Sequence, residues 1–157
     1  MQIQKIHILM VCLGNVCRSP TAHGVLDKLI KDKRLDGRLE VDSAGTGSFH
    51  LSVSPDTRAI RAAHARGCDL SRLRARQINA SDYESFDLIL AMDKSNLSDL
   101  HERCPPHFKQ KLGLFLSWSQ SGLEEVPDHY CSGSLGFELV LELAEEVCGA
   151  LIDESID

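Results

Sequence analysis

A cysteine followed six positions later by an arginine is the feature of this sequence best suited to chemistry. The stretch over residues 12–19 reads Cys-Leu-Gly-Asn-Val-Cys-Arg-Ser. Backbone N–H groups of a tight Gly/Asn loop, together with those of the first turn of a following helix, form a concave site for a tetrahedral anion. Arg18 adds a planar fork of donors that can hold two phosphoryl oxygens at once. The stretch therefore predicts a phosphate-binding loop.

The same loop offers a nucleophile. Arg18 and a helix N-terminus create a positive field that favours the thiolate form of Cys12, and a thiolate beneath a bound phosphoryl group can attack phosphorus. Ser19 has two compatible roles open to it: it caps the helix, and it also donates to the Cys12 sulfur and helps it leave in a second chemical step. The loop residues expected to bind the phosphoryl group are Leu13, Gly14, Asn15, Val16, Cys17 and Ser19.

The segments around this loop alternate between strand and helix patterns. A nearly continuous apolar run over 5–11 predicts a strand buried on both faces, and Ser19 and Pro20 then form an N-cap and N1 pair for a helix. Further strands are predicted over 39–42, 86–92 and 112–116, and helices over 55–66, 95–102 and 136–153. This alternation predicts a single α/β domain with a parallel sheet of about four strands, whose ligands bind beyond the carboxyl ends of the strands.

Composition and charge narrow the functional class. The chain has 157 residues, 43% of them apolar and 25% charged, as in ordinary globular proteins. The net charge of -6 disfavours a nucleic-acid or anionic-membrane surface. No apolar run reaches the roughly 20 residues that span a bilayer. We therefore expect no nucleic-acid partner and no membrane span.

The cysteines indicate the compartment. There are six of them, with no secretory signal and no Cys/His spacing typical of zinc sites, so we expect reduced thiols, no metal and a cytoplasmic protein. All the histidines lie outside residues 12–19, which we call the catalytic stretch. Those other than His129 lack metal-ligand spacing as well, and we expect them to be solvated or bonded locally: His7, His23, His50, His64, His101 and His107.

Several blocks of sequence, in order along the whole chain, resemble the low molecular weight protein tyrosine phosphatases. Besides residues 11–20 they cover 42–47, 55–59, 75–77, 86–93 and 126–128. The resemblance implies a three-layer domain over 1–157, a four-stranded parallel sheet with helices on both faces and the phosphate-binding loop between strand 1 and helix 1. It also implies hydrolysis of phosphotyrosine in proteins through a phosphocysteine on Cys12, without metal or cofactor, by a monomer that releases inorganic phosphate.

The resemblance assigns roles to residues that their types alone leave open. Asp128, otherwise an ordinary turn residue, would be the general acid and then the general base. Cys17 either fills space behind the loop or forms a disulfide with Cys12 on oxidation, and the resemblance favours the disulfide. Phe49 and Tyr130 would form the aromatic walls that accept a phenyl ring.

Support for the loop is expected from Ser43, together with Asn15, and from Asp93. Asp93 would either orient Arg18 or cap the following helix. Leu73 stands where some members of the family have a histidine in a polar network behind the loop, so that Ser43 and Asn15 would carry that support alone. Other departures from the family pattern bear on ring preference and on the acid segment: Ser52, His129 and Cys131.

Other functions of the same scaffold are distinguished by particular residues. Protein-arginine phosphatases carry threonine at the position of Val16, and valine lacks that hydroxyl. Arsenate reductases need a closely spaced pair of resolving cysteines, whereas Cys68 and Cys104 are far apart in sequence. A non-catalytic phosphate-docking module would need the loop but neither Cys12 nor Asp128.

Overall fold

Strand β1 (Ile6–Cys12) is an interior strand of a four-stranded sheet. The structure is a computed structural model, and it describes residues 5–48, 51–127 and 134–155. The other strands are β2 (Leu39–Gly45), β3 (Leu88–Ala91) and β4 (Leu112–Leu114), and every neighbouring pair is parallel, in the order β2-β1-β3-β4. The four-stranded parallel sheet predicted from the sequence is confirmed.

The helices lie on both faces of this sheet. They are α1 (Arg18–Asp32), α2 (Thr57–Ala65), α3 (Ala80–Ser85), α4 (Lys94–Arg103) and α5 (Ser134–Ser155). Alternate β1 residues belong to different hydrophobic clusters: Ile8 and Met10 join residues of α1, α2 and α5, whereas Leu9 and Val11 join residues of α3 and α4. All four side chains are fully buried, as expected for a strand covered on both faces.

The strand register brings the carboxyl ends of three strands together at one end of the sheet. Cys12 lies opposite Gly45 of β2, and Val11 lies opposite Ala91 of β3. Because the strands are parallel, the segments that follow β1, β2 and β3 leave the sheet on the same side. The catalytic stretch, residues 46–48 and residues 92–93 are therefore neighbours in space.

The start of α1 differs from the prediction. The helix begins at Arg18 with Cys17 as its N-cap residue, so Ser19 and Pro20 already lie in the first turn. Proline is tolerated there because N–H groups of the first turn have no acceptor within the helix. The Ser19 hydroxyl bonds to side chains of the catalytic stretch instead of capping the helix, so the prediction of Ser19 as N-cap was wrong.

Several boundaries also differ. Strand β2 continues through Gly45 because it pairs with β1 along its full length, whereas the sequence predicted a turn from Ser43. The strand predicted over 112–116 ends at Leu114 and becomes a 3-10 turn over Phe115–Trp118. The sequence analysis missed α3, which a capping box between Asn79 and Asp82 begins.

Candidate active site

Cys12 occupies the carboxyl end of β1, with 3% of its side chain exposed. Its Sγ lies 3.0 Å from the Ser19 hydroxyl oxygen, one residue into the first turn of α1. The thiol is therefore held between the end of a buried strand and the N-terminus of a 15-residue helix. Unpaired N–H groups and the helix dipole stabilise negative charge at such a position, on a thiolate and on a bound anion alike.

The orientation of the Ser19 hydroxyl follows from its neighbours. The backbone N–H of Arg76 donates to Asn15 Oδ1 at 3.0 Å, so the Asn15 amide group turns its Nδ2 to Ser19 Oγ, at 2.8 Å. Since this hydroxyl oxygen already accepts from Asn15, its single proton is available to the Cys12 sulfur. The chain of bonds thus arranges a hydroxyl donor at the sulfur.

Asn15 itself has a backbone conformation that shapes the loop. Its φ is 57°, in the left-handed region that asparagine tolerates better than most residues. Carbonyl groups of the loop are engaged by neighbouring segments: that of Cys12 accepts from Thr46 N at 2.9 Å and that of Val16 from Asp56 N at 2.7 Å. With these carbonyls bonded outward, the loop amides are the groups suited to an anion.

Arg18, the first residue of α1, is buried with 4% exposure. Its Nη1 donates to Asp93 Oδ2 at 2.8 Å and to the Val126 carbonyl oxygen at 3.0 Å. A buried guanidinium needs such acceptors because an unpaired charge in the interior is costly. The side chain is therefore held in a defined position before any phosphate is bound.

Asp93 performs both of the functions that the sequence left as alternatives. Its Oδ1 accepts from Asn96 N at 2.7 Å, which makes it the N-cap of α4, while its Oδ2 accepts from Arg18. One carboxylate thereby fixes the start of α4 and the arginine of the loop relative to each other.

A histidine joins the support behind the loop, which the sequence analysis missed. His23 Nδ1 lies 2.9 Å from Ser43 Oγ. Burial lowers the pKa of His23 below its usual value, although the carboxylate of Asp42 acts in the opposite direction. Ser43 and Asn15 thus do not carry the support alone, since His23 reaches Ser43 from α1. No spacing in the sequence indicates this pairing.

Arg76 connects that support to the loop. Its guanidinium bonds to the carboxylates of Asp42, at 3.1 Å, and Asp82, at 2.9 Å, while its backbone N–H holds Asn15. Asp42 Oδ1 in turn accepts from Ser43 N at 2.8 Å. The residue is within a block that resembles the family, but its type alone did not mark it as part of the site.

Some predicted site residues lie outside the described residues, namely Asp128, Phe49 and Tyr130, together with His50, His129 and Cys131. Ser52, which stands at a position where glycine is common, has a φ of 65°, a conformation that glycine adopts without strain. Leu13 is 46% exposed at the surface of the loop. Within the described ranges, no group of three or more His, Cys, Asp or Glu side chains is placed to hold a metal ion.

The family is established by comparison with known proteins. The model of the family described as low molecular weight phosphotyrosine protein phosphatase matches residues 7–157. The chain belongs to this family. The match covers the loop, its support and the segment that contains Asp128.

Individual relatives agree with this assignment. The low molecular weight phosphotyrosine protein phosphatase of Schizosaccharomyces pombe is 38% identical over 136 residues, 85% of this chain and 86% of that protein. The human protein of the same name is 35% identical over 150 residues, 94% of each chain. A crystal structure of protein tyrosine phosphatase from Entamoeba histolytica, with Hepes in the active site, superimposes with a TM-score of 0.92 at 37% identity, covering 96% of both chains.

Four further cysteines lie within the described ranges. The cysteines within the described ranges are all buried: Cys12, Cys17, Cys68, Cys104 and Cys148. Burial raises the pKa of the Cys68, Cys104 and Cys148 thiols. Cys68 belongs to the hydrophobic cluster on one face of the sheet and Cys104 to the cluster on the other. Cys68 and Cys104 are therefore not placed as a pair.

No helix within the described residues is long and apolar enough to cross a membrane.

Proposed function

We propose that this chain, as one domain over 1–157, is a protein tyrosine phosphatase that hydrolyses phosphotyrosine without a metal, through a phosphocysteine on Cys12. The observation that carries the proposal is the Cys12 sulfur 3.0 Å from the Ser19 hydroxyl, at the start of a helix whose first residue is the buried Arg18. Family membership supports the same activity.

In the first step the Cys12 thiolate attacks phosphorus. A sulfur–phosphorus bond forms while the bond from phosphorus to the phenolic oxygen breaks, and Asp128 donates a proton to the departing oxygen. A positioned general acid of this kind contributes about 10² to 10⁴ in rate. Arg18 and the loop amides bind the equatorial phosphoryl oxygens, where charge is spread in the transition state.

In the second step a water molecule attacks the phosphocysteine. Asp128, now ionised, accepts a proton from that water, and the sulfur leaves as a thiolate. The Ser19 hydroxyl, whose oxygen accepts from Asn15 at 2.8 Å, donates a hydrogen bond to the departing sulfur and lowers the energy of its negative charge. The product is inorganic phosphate, which we expect to inhibit by occupying the same loop.

Substrate class follows from the walls of the site. We assign Phe49 and Tyr130 to the slot that accepts the phenyl ring, because aromatic side chains bind a planar ring through their faces and edges. Val16 has no hydroxyl with which to distinguish a phosphoarginine nitrogen, which favours an aryl phosphate ester. We further infer that the protein acts as a monomer in the cytoplasm, where its buried thiols stay reduced.

The test compares phosphotyrosine, phosphoserine and phosphoarginine peptides in the presence of a chelator and a reductant, with Cys12→Ser as the control. We expect turnover of phosphotyrosine by the wild-type protein and none by the variant. Preferential turnover of phosphoarginine would overturn the assignment of Val16. An inactive wild type that still binds phosphate would indicate a docking module.

Asp128 has its own test. Asp128→Asn should lower turnover by about 10² or more while phosphate affinity changes little, because the acid acts on the leaving oxygen and not on the bound phosphoryl group. Equal losses of turnover and phosphate affinity would contradict the acid role.

A further inference from the structure

Glu125 belongs to a closed ring of bonds that includes the phosphate-binding arginine. Its Oε2 accepts from the backbone N–H of Lys94 at 2.8 Å. Lys94 follows Asp93, whose carboxylate accepts from Arg18. Glu125 precedes Val126, whose carbonyl accepts from the same Arg18 nitrogen at 3.0 Å. The Glu125–Lys94 bond therefore connects the two segments that supply the acceptors of Arg18.

The two segments are also joined on the inner side. Val126 N donates to the Met92 carbonyl at 2.8 Å, and the Val126 side chain is 2% exposed. The Glu125 bond to Lys94 adds a second hydrogen bond between these segments, on the solvent side. Two attachments fix the direction of the Val126 carbonyl, and thereby the position of the Arg18 nitrogen.

We propose that Glu125 is a positioning residue for Arg18, acting through the Val126 carbonyl and the start of α4. The inference rests on the proposed function, since it concerns how the same loop binds a phosphoryl group. Glu125 does not touch the substrate. Its contribution is to keep the acceptors of Arg18 at the separation that suits the bound anion.

Loss of the Glu125 charge and loss of its positioning contact should change the affinity for phosphate in opposite directions. A carboxylate near an anion site repels phosphate, so removing its charge should tighten phosphate binding if charge alone mattered. Removing a positioning contact should weaken phosphate binding instead. The direction of the change therefore separates the two effects.

Glu124 is a matched control. It is the adjacent residue with the same charge, and its carboxylate pairs with the Lys94 ammonium group, where both side chains are exposed by more than 60%. That ion pair does not involve the Lys94 backbone N–H or a bond to Arg18.

The experiment measures the inhibition constant of inorganic phosphate and kcat/KM for an aryl phosphate in Glu125→Ala, Glu125→Gln and Glu124→Ala, with thermal unfolding alongside. We expect Glu125→Ala to weaken phosphate inhibition about three- to tenfold, as loss of one hydrogen bond in the ring implies. Glu125→Gln keeps a carbonyl oxygen that accepts from Lys94 N, so its inhibition constant should stay within about twofold of wild type. Glu124→Ala should leave phosphate inhibition unchanged or slightly tighter.

Three results would overturn the proposal. Phosphate inhibition could be unchanged or tighter in Glu125→Ala, whether or not thermal stability falls. Glu125 would then only cap the start of α4 and would not position Arg18. Equal weakening in Glu125→Ala and Glu125→Gln would show that a neutral acceptor at this position does not restore phosphate binding, which would contradict a role for the hydrogen bond from Lys94 N. Equal weakening of phosphate inhibition in Glu124→Ala would show that the effect does not depend on the bond between Glu125 and Lys94 N. A wild-type protein with no turnover would instead contradict the proposed function, and direct phosphate binding by calorimetry would still report on Glu125.

Discussion

Replacing Gly45 with alanine tests whether the position of the catalytic loop controls its activity. A Cβ atom built on Gly45 would lie 2.6 Å from the Leu13 carbonyl oxygen and 3.3 Å from both Asn15 N and Gly14 C. The methyl group would thus press on three backbone atoms of the loop. The strand cannot yield easily, because Gly45 N donates to Arg76 O and Gly45 O accepts from Ile78 N, both at 2.8 Å.

The size of the effect follows from the shortfall in distance. Ordinary contacts of a Cβ atom begin at 3.4 Å, against 2.6 Å here, so the loop must move by about 0.8 Å at Leu13. A displacement near 1 Å in a catalytic site costs up to about 10²-fold in rate. We therefore expect kcat/KM to fall about 10- to 100-fold, which corresponds to about 1.4 to 2.7 kcal/mol of transition-state stabilisation.

The fold should survive the substitution. Overpacking costs about 1 to 3 kcal/mol of unfolding free energy, less than the about 5 to 15 kcal/mol of a typical domain. Gly149→Ala is the control, because among the described residues no atom beyond its chain neighbours and the adjacent turns of helix backbone lies within 4 Å of a Cβ at that position. The variant should keep full activity and gain about 0.5 to 1 kcal/mol in stability.

The assay combines kcat/KM for an aryl phosphate, the inhibition constant of phosphate and the thermal unfolding temperature for both glycine variants. A folded Gly45→Ala protein with kcat/KM and phosphate inhibition within twofold of wild type would refute the reasoning. So would an equal loss of activity in Gly149→Ala.

Three further predictions concern titration and thiol chemistry. Burial holds the pKa of His23 below the about 6.5 of an unfolded chain, so the unfolded state binds its proton more readily, and the unfolding free energy should fall as pH drops below about 6.5. Urea denaturation between pH 7 and 5 should show a smaller fall for His23→Gln, and identical slopes would contradict this. Cys12, with 3% exposure, is as buried as Cys68 and Cys104, with 5% each. We expect phosphate to slow the alkylation of Cys12 but not that of the other two, because only Cys12 of the three belongs to the phosphate-binding loop; peptide mapping that finds no protection of Cys12 would contradict this. Peroxide inactivation should be reversed by thiols in the wild type but far less in Cys17→Ala, and equal recovery would remove the protective role of Cys17.

The sequence predicted those parts of the site that are contiguous in the chain. The loop, its cysteine and its arginine lie within residues 12–18, and their chemistry can be inferred from residue types and from the helix that follows. The sheet followed from the apolar runs, since a strand buried on both faces leaves a clear pattern. The start of α1 was misplaced because Ser19 has the residue type of a cap, while its hydroxyl is engaged by Asn15 and Cys12.

The parts that escaped prediction depend on which segments meet in space. His23 lies on α1 at a spacing that any surface histidine could have, and only the folded structure brings its ring to Ser43 of β2. The acceptor at residue 126 is a backbone carbonyl, which every residue possesses, so no residue type could mark it. Arg76 contributes through its N–H as well as its guanidinium, and the former has no signature in the sequence.

Arg18 is a buried cation, and the fold itself compensates its charge. A guanidinium with 4% exposure and no acceptor would be an unpaired charge in the interior, which is costly. Asp93 neutralises that charge, and the Val126 carbonyl accepts from the same Nη1 atom. Because the Asp93 carboxylate and the Val126 carbonyl both accept from Nη1, Arg18 is oriented by the fold before it meets a substrate. The cost of ordering the side chain then falls on folding and not on phosphate binding or the transition state, which is how a preorganised donor accelerates phosphoryl transfer.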